Sequence, residues 1–375
     1  MNNKLSLKQA ATLIKAVGHT STVLVIGEMG IGKSALLHGF RADPYFAGHH
    51  IPDAIMASDL SDGSVYMPSI DTERGTSAEL PNEFFGLHKN NQKGVNGSKP
   101  VVLMIDELGK AKQYIKNILA PVLYERRVGR YHMPEGSIVF ACTNMADENL
   151  GDDIQAHLRN RVKVVYVRKP TQAEWMADYA IPNKLEPELL AATEMYPQLF
   201  DSYDMYLPGG KYEGKDIGKD NPWIHNPRDA SQEQCATPRS LRAASNTIRD
   251  CKATCDDATL QSALEGDVGV LASELTSFIR FGRDMPSFAR VVADPAKCPL
   301  PTSPVAQLIC VFQMITQSKT REEVTAVVTY TKRMRDEMQT LLINRVANSS
   351  GVLTLFCTNN EFGLLLEKNR KFLTL

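Results

Sequence analysis

Residues 27–34 read Gly27-Glu28-Met29-Gly30-Ile31-Gly32-Lys33-Ser34, which fits the spacing G-x-x-x-x-G-K-[ST]. Glycines at these positions let the backbone curl so that its N–H groups point inward at phosphate oxygens. A helix starting at Ala35 would add positive partial charge at the same place. Lys33 is then placed to reach the β- and γ-phosphates of a nucleoside triphosphate, and the Ser34 hydroxyl to ligate Mg²⁺. The segment Gly27 to Ala35 is therefore expected to bind a nucleoside triphosphate.

A second constellation lies at Val101-Val-Leu-Met-Ile105, an apolar run closed by Asp106-Glu107. A buried strand delivers such a pair to its carboxyl end, where open parallel sheets bind ligands. Asp106 is expected to hold Mg²⁺ together with Ser34. Glu107 is expected to orient and polarise the attacking water. The run Ile138-Val-Phe-Ala141 ends in Cys142-Thr143-Asn144. Asn144 there can bridge the water and the γ-phosphate, with Thr143 as the alternative. Phosphoryl transfer spreads negative charge over the γ-phosphate oxygens, and an arginine from a neighbouring subunit can stabilise it. Arg161, in Leu158-Arg-Asn-Arg-Val162, is the candidate finger, and Arg159 the alternative. Arg239, in Thr237-Pro-Arg-Ser240, opens a predicted helix and could contact the same phosphate.

The elements that must hold these residues follow from apolar spacing. Leu7, Ala10, Ala11, Leu13, Ile14 and Val17 mark one face of a helix over 5–17. Nearly all-apolar runs at 22–26, 101–105, 138–141 and 162–167, with a shorter one near 55–58, read as strands buried on both faces. Strands alternating with helical stretches, such as 111–124, indicate an α/β core with a parallel sheet. The segment 59–99 has no clear period. From Lys169 the pattern turns helical, with capping boxes at Thr171-Gln-Ala-Glu174 and Thr320-Arg-Glu-Glu323 and helix starts at Pro238 and Pro304. Residues 201–233, rich in Gly, Pro, Lys, Asp and Asn, read as an exposed loop. The expected division is 1–169, a phosphate-binding core; 170–257, a helical lid with an insertion near 201–233; and 258–375, a C-terminal helical region.

The chain has 375 residues, and its 42 basic and 43 acidic side chains leave a net charge of −1. Such a balance provides no global basic field to hold nucleic acid or an anionic membrane. The seven cysteines are scattered and odd in number, which points to reduced thiols in a cytoplasmic compartment. The first residues hold no secretory signal pattern. No apolar run approaches the roughly 20 residues that span a bilayer, so no membrane association is expected.

The set of motifs resembles an AAA+ ATPase, and most closely the MoxR-like branch of bacteria and phages. The pieces that carry the resemblance are GEMGIGKS at Gly27, VVLMIDELGKA at Val101, LYERRVG at Leu123, IVFACTN at Ile138, LRNRV at Leu158 and TPRS at Thr237. They occur in family order and cover about two thirds of the chain. The segment FIRFGRDMPSFARVVADP from Phe278 resembles the C-terminal extension of phage and bacterial members. Two local departures stand in this sequence: Glu28-Met29 where many relatives carry proline, and Val162 where Phe often follows the finger.

The resemblance implies a P-loop AAA+ core followed by an all-helical lid and a C-terminal helical region. It implies a sensor role for Asn144, a trans-acting finger role for Arg161, a second-sensor role for Arg239 and a hairpin insertion over 124–136. It further implies a homo-oligomeric ring, usually a hexamer, with ATP and Mg²⁺ between subunits, in the cytoplasm (of the host, for a phage protein). Its work would be remodelling a protein client, with a von Willebrand factor A-type partner in many members. A nucleic-acid motor or loader is the alternative, drawing on Tyr124, Arg126, Arg127, Arg130, Tyr131 and His132. A non-hydrolysing, ATP-gated scaffold is the second alternative.

Overall fold

The computed structural model describes residues 3–87, 99–129, 131–145, 160–283 and 285–370. They form two compact units, Met1–Lys169 and Pro170–Leu375.

The first unit is built on a five-stranded parallel sheet. Its strands are β1 (Val23–Ile26), β2 (Ile55–Met56), β5 (Val102–Asp106), β8 (Ile138–Thr143) and β9 (Lys163–Tyr166), in the order β2-β5-β8-β1-β9. The register pairs Val23 with Phe140 and with Lys163, and Met104 with Phe140. Alternate residues of each central strand enter opposite layers. Leu24, Leu103, Ile105 and Val139 pack on one side, against Ile115, Leu119 and Val122 of a helix over Gln113–Glu125. Val23, Val25, Val102, Met104 and Phe140 pack on the other, against Ala10 and Ile14 of α1 (Leu7–Val17) and Leu37 and Phe40 of α2 (Ala35–Ala42). Burial on both faces is why these strands read as apolar runs without alternation. Each fully buried Leu or Phe of this sandwich stabilises it by about 1.5–3 kcal/mol relative to exposure.

Helix α1 starts at a capping box in which Ser6 Oγ accepts from Gln9 N and Gln9 Oε1 accepts from Ser6 N. A one-turn helix, α3 (Asp62–Val65), precedes a two-stranded antiparallel ribbon, β3 (Tyr66–Asp71) with β4 (Thr76–Pro81). Regular structure thus lies inside 59–99, a segment whose sequence shows no clear period. The helix over Gln113–Glu125, α4, runs into a short hairpin of β6 (Arg127–Val128) and β7 (Tyr131–His132), as 124–136 was expected to do. Arg130 and Arg159, named above, lie outside the described residues.

The second unit is helical. It comprises α5 (Gln172–Trp175), α6 (Pro187–Met195), α7 (Ile217–Asp220), α8 (Pro238–Cys251), α9 (Asp257–Val268), α10 (Ala272–Arg283), α11 (Phe288–Ala293), α12 (Pro304–Gln317), α13 (Arg321–Thr331), α14 (Asp336–Asn348), α15 (Ser350–Cys357) and α16 (Asn360–Lys368). One apolar core runs through it, from Trp175 and Leu189 through Leu241, Leu275 and Phe312 to Ile343, Phe356 and Phe362. The predicted capping boxes at Thr171 and Thr320 both form. Residues 201–233 are not an exposed loop throughout. Tyr203, Tyr206, Ile217, Asn221 and Ile224 are buried, and Asn221 Nδ2 donates to Gln198 O at 2.8 Å. Aromatic and aliphatic side chains spaced among the polar residues fold this segment back on itself.

Candidate functional site

The chain leaves β1 at Ile26 and enters the glycine loop while still attached to the sheet, Gly27 N donating to Thr143 O at 3.3 Å. Space is tight here. A Cβ at Gly27 would stand 2.5 Å from Val167 Cγ2 and 2.8 Å from Ile31 Cδ1. Gly30 and Gly32 take φ of 68° and 104°, which only glycine adopts without strain at Gly32. Ile31 turns inward and is buried, as is Glu28, while Met29 is half-buried. Ser34 ends the loop and Ala35 opens α2.

Lys33 is 7% exposed. Its ammonium donates to Gly27 O at 2.6 Å, Glu28 O at 2.7 Å and Asn144 Oδ1 at 2.7 Å. The lysine therefore clasps its own loop and the end of β8 at once. Between the two candidates there, the geometry separates the roles. Asn144 faces Lys33, whereas Thr143 is buried and its Oγ1 accepts from Gly109 N at 3.1 Å, fixing the turn after β5.

Ser34 makes no cap bond to its own helix. Its hydroxyl donates instead to Asp106 Oδ2 at 2.7 Å, and Asp106 Oδ1 accepts from Glu107 N at 2.9 Å. A hydroxyl and a carboxylate side by side form a hard-oxygen donor set of the kind Mg²⁺ takes. Glu107 sits at φ 53°, ψ 33°, a left-handed conformation that costs a non-glycine residue about 1–2 kcal/mol. That turn swings its carboxylate out of the strand direction. Oε1 accepts from Lys110 Nζ at 2.7 Å and Oε2 from Ser58 Oγ at 3.0 Å. Ser58 stands just past β2 and Lys110 three residues beyond Glu107. Neither was singled out in the sequence, and only their positions near the two strand ends could have pointed to them.

Cys142, the last apolar side chain before the site, is fully buried. Burial holds its thiol well above the usual range, with Asp106 raising it further and Lys33 pulling it down.

The strand ends thus bring Lys33, Ser34, Asp106, Glu107 and Asn144 together around one loop. A nucleoside triphosphate with Mg²⁺ fits them: Lys33 bonds two loop carbonyls and Asn144 Oδ1, acceptors that phosphate oxygens can replace, and the Ser34–Asp106 pair offers the metal ligands. Arg161 is exposed, and its guanidinium lies over the Tyr124 ring, 5.1 Å from the centroid. Arg239 belongs to the helical unit, in the first turn of α8, where Thr237 forms a capping box with Ser240. Its side chain is exposed.

No model of a known protein family matches the sequence, and no curated protein matches it. Solved structures do. A complex of S. cerevisiae Hsp104 with ADP aligns at a TM-score of 0.33 and 15% identity, covering 100% of this chain and 49% of that one. A closed-state reconstruction of Hsp104 with ATPγS and FITC casein aligns at a TM-score of 0.35 and 15% identity, covering 93% of this chain and 56% of that one. The chain spans about half the length of these structures. Among the described residues, no helix is long and apolar enough to cross a membrane.

Proposed function

We propose that this chain is an ATP-hydrolysing AAA+ ring ATPase of the MoxR-like branch that uses turnover to remodel a protein client. The observation that carries this reading is the convergence of Lys33, Ser34, Asp106 and Asn144 from three strand ends onto one glycine loop. The family motifs in their order extend it to a ring, with a von Willebrand factor A-type protein as a candidate partner. In that reading residues 170–257 act as the lid and 258–375 as the C-terminal region, and Arg239 is the residue of the helical unit assigned to the nucleotide.

The chemistry assigns each residue a step. The loop N–H groups and Lys33 bind the phosphates, Lys33 exchanging one of its present acceptors for phosphate oxygen. Ser34 and Asp106 would hold Mg²⁺, which would supply charge neutralisation on the phosphates. Glu107 takes the proton of the attacking water once Ser58 or Lys110 releases it. Asn144 orients that water, and Arg161 of a neighbouring copy meets the charge that grows on the transferred group.

The test is ATPase rate per subunit against protein concentration, with native mass recorded alongside. A rate that rises as a ring-sized species forms supports sites shared between subunits. A concentration-independent rate from a monomer removes the ring and the trans finger. Steep, salt-sensitive stimulation by DNA or RNA would replace the protein client with nucleic acid. ATP binding without turnover would leave only an ATP-gated scaffold.

A further inference from the structure

Arg161 and Tyr124 are 37 residues apart in sequence, yet one buried residue anchors the segments that carry both. Thr22, just before β1, is 1% exposed. Its hydroxyl donates to Leu123 O at 2.5 Å, beside Tyr124 in the last turn of α4. Its carbonyl accepts from Lys163 N at 2.8 Å, two residues after Arg161. Arg126 closes the arrangement, donating from Nη1 to Thr22 Oγ1 at 2.8 Å and Leu123 O at 2.7 Å, and from Nη2 to Gly18 O at 2.9 Å. The helix end is held further by the buried side chains of Leu119, Val122 and Leu123.

On this fixed end the Tyr124 ring is half-buried, with one face under the Arg161 guanidinium at 5.1 Å from the centroid. The hydroxyl is buried and, among the described residues, meets no hydrogen-bond partner. Burial raises the phenol above its usual range, against the pull of Arg161, so the ring stays neutral. The contact is that of a cation with an aromatic face, not an ion pair.

We propose that Tyr124 is a positioning residue for the finger: its ring holds the Arg161 guanidinium in a defined direction while the arginine awaits the neighbouring subunit's γ-phosphate. This rests on the trans-finger reading above. An exposed arginine otherwise samples many rotamers, and ordering it at each turnover slows the step it serves. A planar guanidinium stacked on a ring has fewer orientations and keeps its N–H edges open for phosphate oxygens.

The test compares Tyr124→Leu, Tyr124→Phe and Arg161→Ala in the full chain. Tyr124→Leu should lower kcat about threefold, the scale of an exposed cation–π contact, with KM for ATP and native mass unchanged. Tyr124→Phe keeps the ring face and should turn over as the parent does. Tyr124→Met, which fills space without a ring, repeats the measurement should the Leu variant fold poorly. The decisive readout is a mixture with excess Lys33→Ala subunits, which hydrolyse nothing but carry an intact Tyr124–Arg161 pair. Relative to the parent in the same mixture, Tyr124→Leu sites should regain full turnover, because their finger now comes from a neighbour. A defect that stays with the Tyr124→Leu subunit, or an unchanged kcat beside an inactive Arg161→Ala, overturns the proposal alone. An active Arg161→Ala overturns the finger reading itself.

Discussion

Lys33 Nζ lies 2.7 Å from Asn144 Oδ1, so the side chain expected to grip phosphate is tied to the side chain expected to sense it. Lys33 Nζ also donates to the carbonyls of Gly27 and Glu28. These three acceptors are neutral oxygens. A phosphate oxygen carries negative charge and attracts the ammonium more strongly. Nucleotide arrival should therefore draw Lys33 from at least one of these partners. Of these three, Asn144 holds Lys33 by a side chain, so phosphate binding would be linked to release of the amide assigned to the attacking water.

Replacing Asn144 by Ala should separate those two events. Lys33 loses one competitor for phosphate, so affinity for a non-hydrolysable ATP analogue should be unchanged or slightly higher. Turnover should fall about 100-fold, the scale of a single preorganised polar group lost from a reacting centre. Calorimetric binding beside steady-state rates checks both. Weaker binding with an unchanged kcat would make Asn144 a ground-state contact only.

Glu107 is latched in this structure. Lys110 and Ser58 occupy its two oxygens, and a carboxylate so engaged is a poor acceptor for a water proton. The ion pair is partly exposed, at 28% and 30% for the two side chains, so its strength is about 0.5–1 kcal/mol. Lys110→Met should accordingly raise the basal ATPase rate about two- to fivefold. Glu107→Gln should abolish turnover while retaining bound ATP. A Lys110→Met variant slower than the parent would mean that Lys110 supports the active position of Glu107.

The parts of the site that were legible in sequence are those fixed by local chain geometry. Three glycines before Lys33, and two acids after an all-apolar strand, state their chemistry within eight residues. Ser58 and Lys110 were not legible, because their role depends on β2 pairing with β5 at Ile55 and Ile105 and on the left-handed turn at Glu107. Periodicity also failed for the ribbon of β3 and β4. Ile70 is 75% exposed and Met67 56%, so no buried face imposed alternation on its residues. In 201–233 the polar composition concealed Tyr203, Tyr206 and Ile224, all buried, with Tyr203 against His225 and Tyr206 against Tyr212.

The buried Cys142 thiol offers a reading of stability against pH. In the unfolded chain it ionises near its ordinary value of 9.0, whereas burial and the Asp106 charge keep it protonated in the fold well above that. The unfolded state thus sheds a proton first as pH rises. The contribution is complete below pH 9 and is lost above it, by about 1.4 kcal/mol per unit at most. Cys310, pushed by burial to about 12, acts in the same direction. Denaturant unfolding from pH 8 to 10.5 should show this decline, and Cys142→Ala should flatten it. Alkylation at pH 7.5 should leave Cys142 unmodified in the native protein and modify the exposed Cys357.

Arg126 poses the sharpest conflict between charge and packing. Its guanidinium is partly buried, burial lowers its affinity for a proton, and among the described residues its acceptors are Thr22 Oγ1, Leu123 O and Gly18 O, with no carboxylate. Among the described residues its buried Nε meets no partner. Two of the acceptors have other donors as well: Leu123 O takes the Thr22 hydroxyl, and Gly18 O takes Val139 N at 3.3 Å. Removing the guanidinium therefore strands no acceptor completely and relieves a desolvated charge. Arg126→Met should cost only about 1 kcal/mol. Arg126→Lys, the nominally conservative change, should cost about 2–3 kcal/mol at pH 7. Its compact ammonium stays desolvated and cannot span three acceptors set for a planar fork. That deficit should shrink as pH rises and the lysine gives up its proton, which denaturant unfolding at pH 7 and 10 would read directly. If Met proves the more damaging of the two, the buried charge itself stabilises the junction of α1, α4 and β1.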